Sequence, residues 1–211
     1  MDNTIDHYLL DIRNNSPEWA QQLEKYAREN HVPIMEPLGI DFLMQIIRIN
    51  KPSRILEIGT AIGYSALRML EASPTSHIVS VERDEPRFQE AVQNIKKMDK
   101  DQNIDVLFGD ALDITNEIKE KGPYDLLFID AAKGQYQRFF ELYSTMLTSD
   151  AVIISDNVLF KGLVANPNSD KERLNKIANK ITTYNKWLME HPQYVTTIVP
   201  IGDGIAISIK R

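Results

Sequence analysis

The sequence predicts an α/β fold with a mostly parallel, seven-stranded sheet that closes with a C-terminal antiparallel hairpin. Three observations predict it. From Arg54 onward, short apolar runs alternate with stretches of helical periodicity, the signature of β-α units around a parallel sheet. The final two apolar runs are instead joined through Gly202-Asp203-Gly204, a short glycine-rich connection that reads as a hairpin turn. A chain of 211 residues with 43% hydrophobic content and no low-complexity stretch has the apolar material for one large domain, residues 1–211.

Before the first strand, helices are expected at 5–12, at 18–30 after the Ser16-Pro17 start signal, and at 39–49, where Pro52 limits the last one. They form an N-terminal helical cap or oligomer arm (1–50) on a core of 51–211. Strands are expected at 54–58, 78–81, 104–108, 125–129 and 152–155, with helices between them at 64–71, 86–98, 112–121 and 135–146. The remainder reads as an irregular turn, Asn166-Pro167-Asn168-Ser169, a helix at 171–190, and strands at 195–199 and 205–209.

Composition excludes several classes. The absence of cysteine removes disulfides and thiolate metal sites, and Met1-Asp2-Asn3-Thr4 opens no apolar run resembling a signal peptide. The longest apolar runs have strand length, so no membrane partner and a cytoplasmic location are expected. A net charge of -6 argues against indiscriminate nucleic-acid binding. The charge is uneven, however: from Lys161 to Lys186 six basic residues face two acidic ones, leaving the rest of the chain at -10. Such a stretch is either a solvated helix face or a local patch for an anionic substrate.

Two strand ends carry polar residues at matching places, Phe128-Ile129-Asp130-Ala131-Ala132-Lys133 and Ile153-Ile154-Ser155-Asp156-Asn157. The carboxyl ends of parallel strands form the ligand crevice, so Asp130, Asp156 and Asn157 converge there as two carboxylates and an amide oxygen, a set suited to a hard cation such as Mg2+. The plainer alternative, two aspartates capping the following helices, leaves Asn157 unexplained. His7, His31, His77 and His191 are dispersed, which argues against zinc, and no G-x-S-x-G elbow is present.

The first strand runs into Gly59-Thr60-Ala61-Ile62-Gly63, a glycine turn opening a helix, where Gly59 and Gly63 permit tight turning and close backbone approach. The spacing is neither G-x-G-x-x-G nor a phosphate loop, so a pyrophosphate ligand is disfavoured. Glu82 closes the second strand, where a carboxylate accepts from both ribose hydroxyls, and Gly109-Asp110-Ala111 ends the third, where an aspartate and the following amide meet an adenine. Each alone reads equally as a plain turn or a helix cap; their order and spacing together point to an adenosine ligand.

The 57–65 turn, Glu82, Gly109-Asp110-Ala111, Asp130-Ala131-Ala132-Lys133 and Asp156-Asn157 together resemble the metal-dependent S-adenosylmethionine O-methyltransferases of the catechol and caffeoyl-coenzyme-A type, which have a Rossmann-like class I fold. The resemblance covers nearly the whole chain. It implies S-adenosyl-L-methionine bound through Met35, Glu57, Gly59, Gly63, Ser65, Glu82, Asp110, Ala111 and Asp130, with Met35 near the sulfonium. Read without the resemblance, Met35 is a core filler. It further implies Mg2+ on Asp130, Asp156 and Asn157, with Lys133 as general base or electrostatic stabiliser and Asp130 beside it in catalysis.

Within that family, 31–36, 55–66, 128–137, 156–164 and 201–204 resemble the bacterial tRNA 5-hydroxyuridine methyltransferases. That implies a tRNA anticodon loop as partner and a wobble 5-hydroxyuridine as substrate, whose hydroxyl lies beside O4 as in a catechol. The 161–186 stretch then contacts the anticodon stem, 162–164 forms a lid or wall, and Phe160 and Tyr136 are stacking candidates. A homodimer is expected because related enzymes pair. The rival readings are a small-molecule catechol or phenylpropanoid O-methyltransferase with the same metal site, and a non-catalytic adenosine-binding regulator.

Overall fold

The computed structural model describes residues 3–167 and 170–211; Asn168 and Ser169 of the expected irregular turn lie outside the described residues. Among these residues seven strands form one sheet: β1 Arg54–Ile58, β2 His77–Glu82, β3 Ile104–Phe108, β4 Tyr124–Ile129, β5 Leu147–Ser155, β6 Tyr194–Val199 and β7 Ile205–Lys210. The order is β3-β2-β1-β4-β5-β7-β6. The first five strands pair in parallel, and β7 runs antiparallel to both β5 and β6. The helices are α1 Asn3–Ile12, α2 Glu18–Glu29, α3 Pro37–Asn50, α4 Tyr64–Ala72, α5 Glu85–Lys97, α6 Thr115–Glu120, α7 Tyr136–Tyr143 and α8 Glu172–Met189.

The central strands are nearly continuous in apolar residues because both sheet faces are covered. Alternation then sends successive residues to opposite cores. Ile55, Leu126 and Ile154 pack with Ile40, Leu43 and Ile47 of α3 and Leu67 and Leu70 of α4. Leu56, Leu127 and Ile153 pack on the other face with Phe139, Phe140 and Tyr143 of α7 and Ile181, Tyr184 and Leu188 of α8. The cap is tied down by charge: Arg13 donates to Asp41 at 2.9 Å and 3.0 Å, and both Ser16 and Tyr64 donate to Glu24. No helix among the described residues is long and apolar enough to cross a membrane.

Three elements depart from expectation. The expected 112–121 helix shortens to α6, because Asp110 accepts the Leu112 N–H at 3.0 Å and its carbonyl takes Asp113 N–H, holding the chain in turns until Ile114. The 135–146 helix is α7 flanked by 3-10 turns at Lys133–Gln135 and Ser144–Met146. β5 begins at Leu147, which pairs with Tyr124 across a register shift, and the polar Thr148, Ser149 and Asp150 that follow separate it from the apolar run that marks the strand in the sequence.

The connections diverge at the middle of the sheet, with β2 and β3 on one side of β1 and β4 and β5 on the other. Ligands of open α/β sheets bind beyond the strand ends at such a divergence.

Candidate active site

At that divergence the ends of β1, β4 and β5 are laced together. Asp130 N–H donates to Ile58 O and Asp156 N–H to Ile129 O, each at 3.0 Å. Gly59 makes this approach possible: its φ is +107°, and a Cβ there would lie 2.1 Å from the Asp130 carbonyl oxygen. The turn glycine thus admits a neighbouring strand end. Beside it opens a cavity of about 320 Å³ whose wall includes Gly59, Glu82, Asp110, Ala111, Asp130, Lys133 and Asn157.

On the β1–β3 side, carboxylates are held by protein donors. Glu82 accepts from the amides of Ala61 (2.8 Å), Arg83 (2.9 Å) and Asp84 (2.8 Å), which fixes it between the glycine turn and the start of α5. Asp110 accepts from Leu112 N–H through one oxygen and from Arg83 at 3.4 Å through the other. Glu57 lies one layer deeper and is fully buried; Ser65 and Ser80 each donate to one of its oxygens. Burial pushes the Glu57 carboxyl up to about 7, against the two serine hydrogen bonds that lower it.

The structure does not bring Met35, Glu57, Gly63 or Ser65 to the cavity surface. Met35 is buried in the apolar core with Ile40 and Ile205, while Pro33 and Ile34 of the same segment reach the wall. Gly63 packs against Ala91 and Ile95 of α5, and Ser65 serves Glu57.

On the β4–β5 side, charge is crowded instead. Burial raises Asp130, and Asp203 raises it further while Lys133 opposes. Burial holds Asp156 well above the usual carboxylate range, and Asp130 adds to the effect. Asp156 sits just behind the wall, 3% exposed, with Tyr136 donating to its carbonyl at 3.1 Å. Asn157 donates to the Asp156 carboxylate at 2.7 Å and accepts from Lys133 Nζ at 2.5 Å. Lys133 therefore stands against the oxygens that the sequence groups as cation ligands.

Two stacking candidates separate here. Tyr136 is a core residue, 1% exposed, and offers no platform. Phe160 is half-buried, with its ring centroid 5.8 Å from Lys133 Nζ. Sequence reasoning missed Arg83 and Arg87, which line the cavity, and Asp203, whose field reaches both Asp130 and Asp156. Arg83 directly follows Glu82 and was open to notice; Asp203 carried only the signal of a turn. Among the described residues, no group of three or more His, Cys, Asp or Glu is arranged to hold a metal ion, so the candidate donor set is two carboxylates plus the Asn157 amide.

Comparison with known proteins follows the same lines. The family model described as O-methyltransferase matches residues 11–211. A flavonoid 3',5'-methyltransferase of Vitis vinifera is 30% identical over 90% of this chain and 83% of its own length. A catechol O-methyltransferase of Niastella koreensis is 28% identical over 79% of this chain and 77% of its own. Among solved structures, a Staphylococcus aureus protein provisionally named a caffeoyl-CoA O-methyltransferase has a TM-score of 0.90 and 37% identity, covering 97% of this chain and 98% of its own. The O-methyltransferase from Bacillus cereus, solved in complex with SAH, has a TM-score of 0.83 and 25% identity, covering 99% and 97%.

Proposed function

This chain belongs to the O-methyltransferase family, and we propose that it moves the methyl group of S-adenosylmethionine to a hydroxyl flanked by a second oxygen, using a hard divalent cation such as Mg2+. The observation that carries this reading is the two-part wall of one cavity: adenosine-type acceptors at Glu82 and Asp110 on one side, and Asp130, Asn157 and Lys133 on the other.

Glu82, pinned by three amides, has a fixed carboxylate that would accept from a ribose diol, and Asp110 would meet an adenine edge. The donor set of the other half fits the cation: burial drives both Asp130 and Asp156 toward protonation, the charge of Asp130 adds to this at Asp156 and that of Asp203 at both, and Lys133 opposes it. Asp130, Asp156 and Asn157 would hold it as hard oxygen ligands. When bound there, such a cation would supply Lewis acidity that lowers the pKa of the acceptor hydroxyl. Lys133, on the same wall, would receive the hydroxyl proton or stabilise the oxygen that loses it. Gly59 and the strand-end lacing keep the two halves at fixed separation, so that nucleophile and methyl carbon meet in line.

For the acceptor we propose 5-hydroxyuridine at the wobble position of tRNA, whose hydroxyl and O4 form the required oxygen pair. Lys180 of α8 supports it: its Nζ lies 3.2 Å from where a Gly134 Cβ would stand, so one cation of the 161–186 stretch packs on the segment that follows Lys133 in sequence. The names of the relatives, a flavonoid and a catechol methyltransferase, favour a second reading, a small aromatic substrate with vicinal oxygens. Methyl transfer by the purified protein to 5-hydroxyuridine-containing tRNA and to catechol, each with Mg2+ and with chelator, tests both. Transfer to the tRNA that chelator removes is the expected result; transfer to catechol alone selects the second reading, and chelator-insensitive turnover overturns the cation.

A further inference from the structure

We propose that Asp203 is a positioning residue: from the β6–β7 hairpin it clamps the 157–162 turn, and the clamp aims Asn157 at Lys133. The consequence for cation affinity rests on the function proposed above; the clamp itself rests on geometry alone.

The 157–162 turn is costly for its sequence. Asn157, Phe160 and Lys161 have φ of +58°, +45° and +54°, left-handed conformations that crowd the Cβ of any residue but glycine. Such a segment persists only where its surroundings hold it. The hairpin supplies that hold. Lys161 N–H donates to the Asp203 carboxylate, Leu159 N–H donates to the Asp203 carbonyl at 2.9 Å, and Val158 N–H donates to the Gly204 carbonyl at 2.9 Å.

Contact between hairpin and turn is close enough to demand glycine. Gly204 has φ of +86°, and a Cβ on it would lie 2.3 Å from Leu159 Cγ and 2.8 Å from Leu159 N. On the opposite side, a Gly202 Cβ would stand 3.6 Å from the Gly39 backbone at the start of α3. The hairpin is thus wedged between the N-terminal cap and the turn that begins with Asn157. A charged carboxylate makes the stronger bond to the Lys161 amide. It does so at the cost of placing a third negative charge where it is felt by Asp130 and Asp156.

Asp203→Ala removes the acceptor for Lys161 N–H, whereas Asp203→Asn keeps an oxygen in its place and removes only the charge. Amide hydrogen exchange of the metal-free protein reads the clamp directly. In Asp203→Ala, Leu159 and Lys161 should exchange about tenfold faster while β1 and β4 amides hold their protection. Asp203→Asn should stay within about threefold of the parent. Mn2+ binding, followed by electron paramagnetic resonance, should weaken about tenfold in Asp203→Ala and much less in Asp203→Asn. SAH affinity, by calorimetry, should be unchanged in both variants. Unchanged exchange in Asp203→Ala, an Asn variant that behaves like the Ala variant, or SAH binding lost along with Mn2+ would each overturn the clamp. If the parent protein takes up no Mn2+, the cation reading fails by itself, and exchange at Leu159 and Lys161 still decides the clamp.

Discussion

On the β1–β3 side of the cavity the carboxylates already have their donors: two serines for Glu57, three amides for Glu82, an amide and an arginine for Asp110. On the β4–β5 side burial drives Asp130 and Asp156 toward protonation, with Asp130 adding to the effect at Asp156, and among the described residues Lys133 donates to the Asn157 amide oxygen rather than to a carboxylate. A satisfied half needs nothing further to hold its shape, so it can meet a ligand preorganised. The crowded half carries a charge problem that the proposed cation would relieve, so its state should depend on what is bound and on pH.

The largest expected effect follows from removing one partner of the crowded half. Asp156→Ala should lower kcat by about 10²-fold or more, because it deletes one oxygen ligand of the proposed cation. SAH affinity should stay within about twofold, because the deleted group touches none of the donors on the other side. Cofactor affinity lost with metal binding intact would dissolve the division into halves. Gly59→Ala attacks the division at its hinge, since the new Cβ would strike the Asp130 carbonyl at 2.1 Å. It should cost about 2–3 kcal/mol in chemical denaturation and weaken SAH and Mn2+ together; loss of only one ligand would mean that the halves are not braced against each other.

Acidity sharpens the comparison. Glu57 is pushed from 4.5 up to about 7, so the folded state holds its proton more tightly than the unfolded chain does. Its contribution to stability is therefore fully present below about pH 4.5 and is lost as pH rises through about 7. Glu57→Gln should match the parent near pH 4.5 and exceed it at pH 8 by up to about 3 kcal/mol, read from urea midpoints. Asp130 and Asp156 are raised in the same direction, so they too cost stability as pH rises, and the proposed cation would bind their deprotonated forms. Mg2+ should thus raise Tm more at pH 8 than at pH 6; an equal rise at both would detach the cation from these carboxylates.

Much of this was legible because a parallel sheet turns sequence order into spatial order. Each of Gly59, Glu82, Asp110, Asp130 and Asn157 follows or ends an apolar run, and strand ends in one sheet must gather. Depth was not legible. Glu57 is the penultimate residue of β1 and Glu82 the last of β2, yet the partners that make Glu57 internal, Ser65 and Ser80, come from α4 and β2, and no local pattern announces them. Met35 is assigned to core rather than cavity only by how α3 packs. Asp203 looked like turn chemistry because its bond to Lys161 crosses 42 residues of sequence.

The smallest effect concerns α8, whose lysines differ in what they pack against. Lys176 is paired with Glu172 at 2.8 Å on the exposed helix face, whereas Lys180 lies over Gly134 beside Lys133. If the acceptor is a tRNA, Lys180→Ala should reduce the slope of log affinity against log salt by about 0.7 to 0.9, the value of one phosphate contact, and Lys176→Ala should leave it nearly unchanged. Turnover of catechol should be indifferent to either, since a small phenol carries no phosphate for α8 to meet. Equal slopes for parent, Lys176→Ala and Lys180→Ala would return the whole 161–186 stretch to a solvated helix face, and the substrate to a small vicinal-oxygen aromatic.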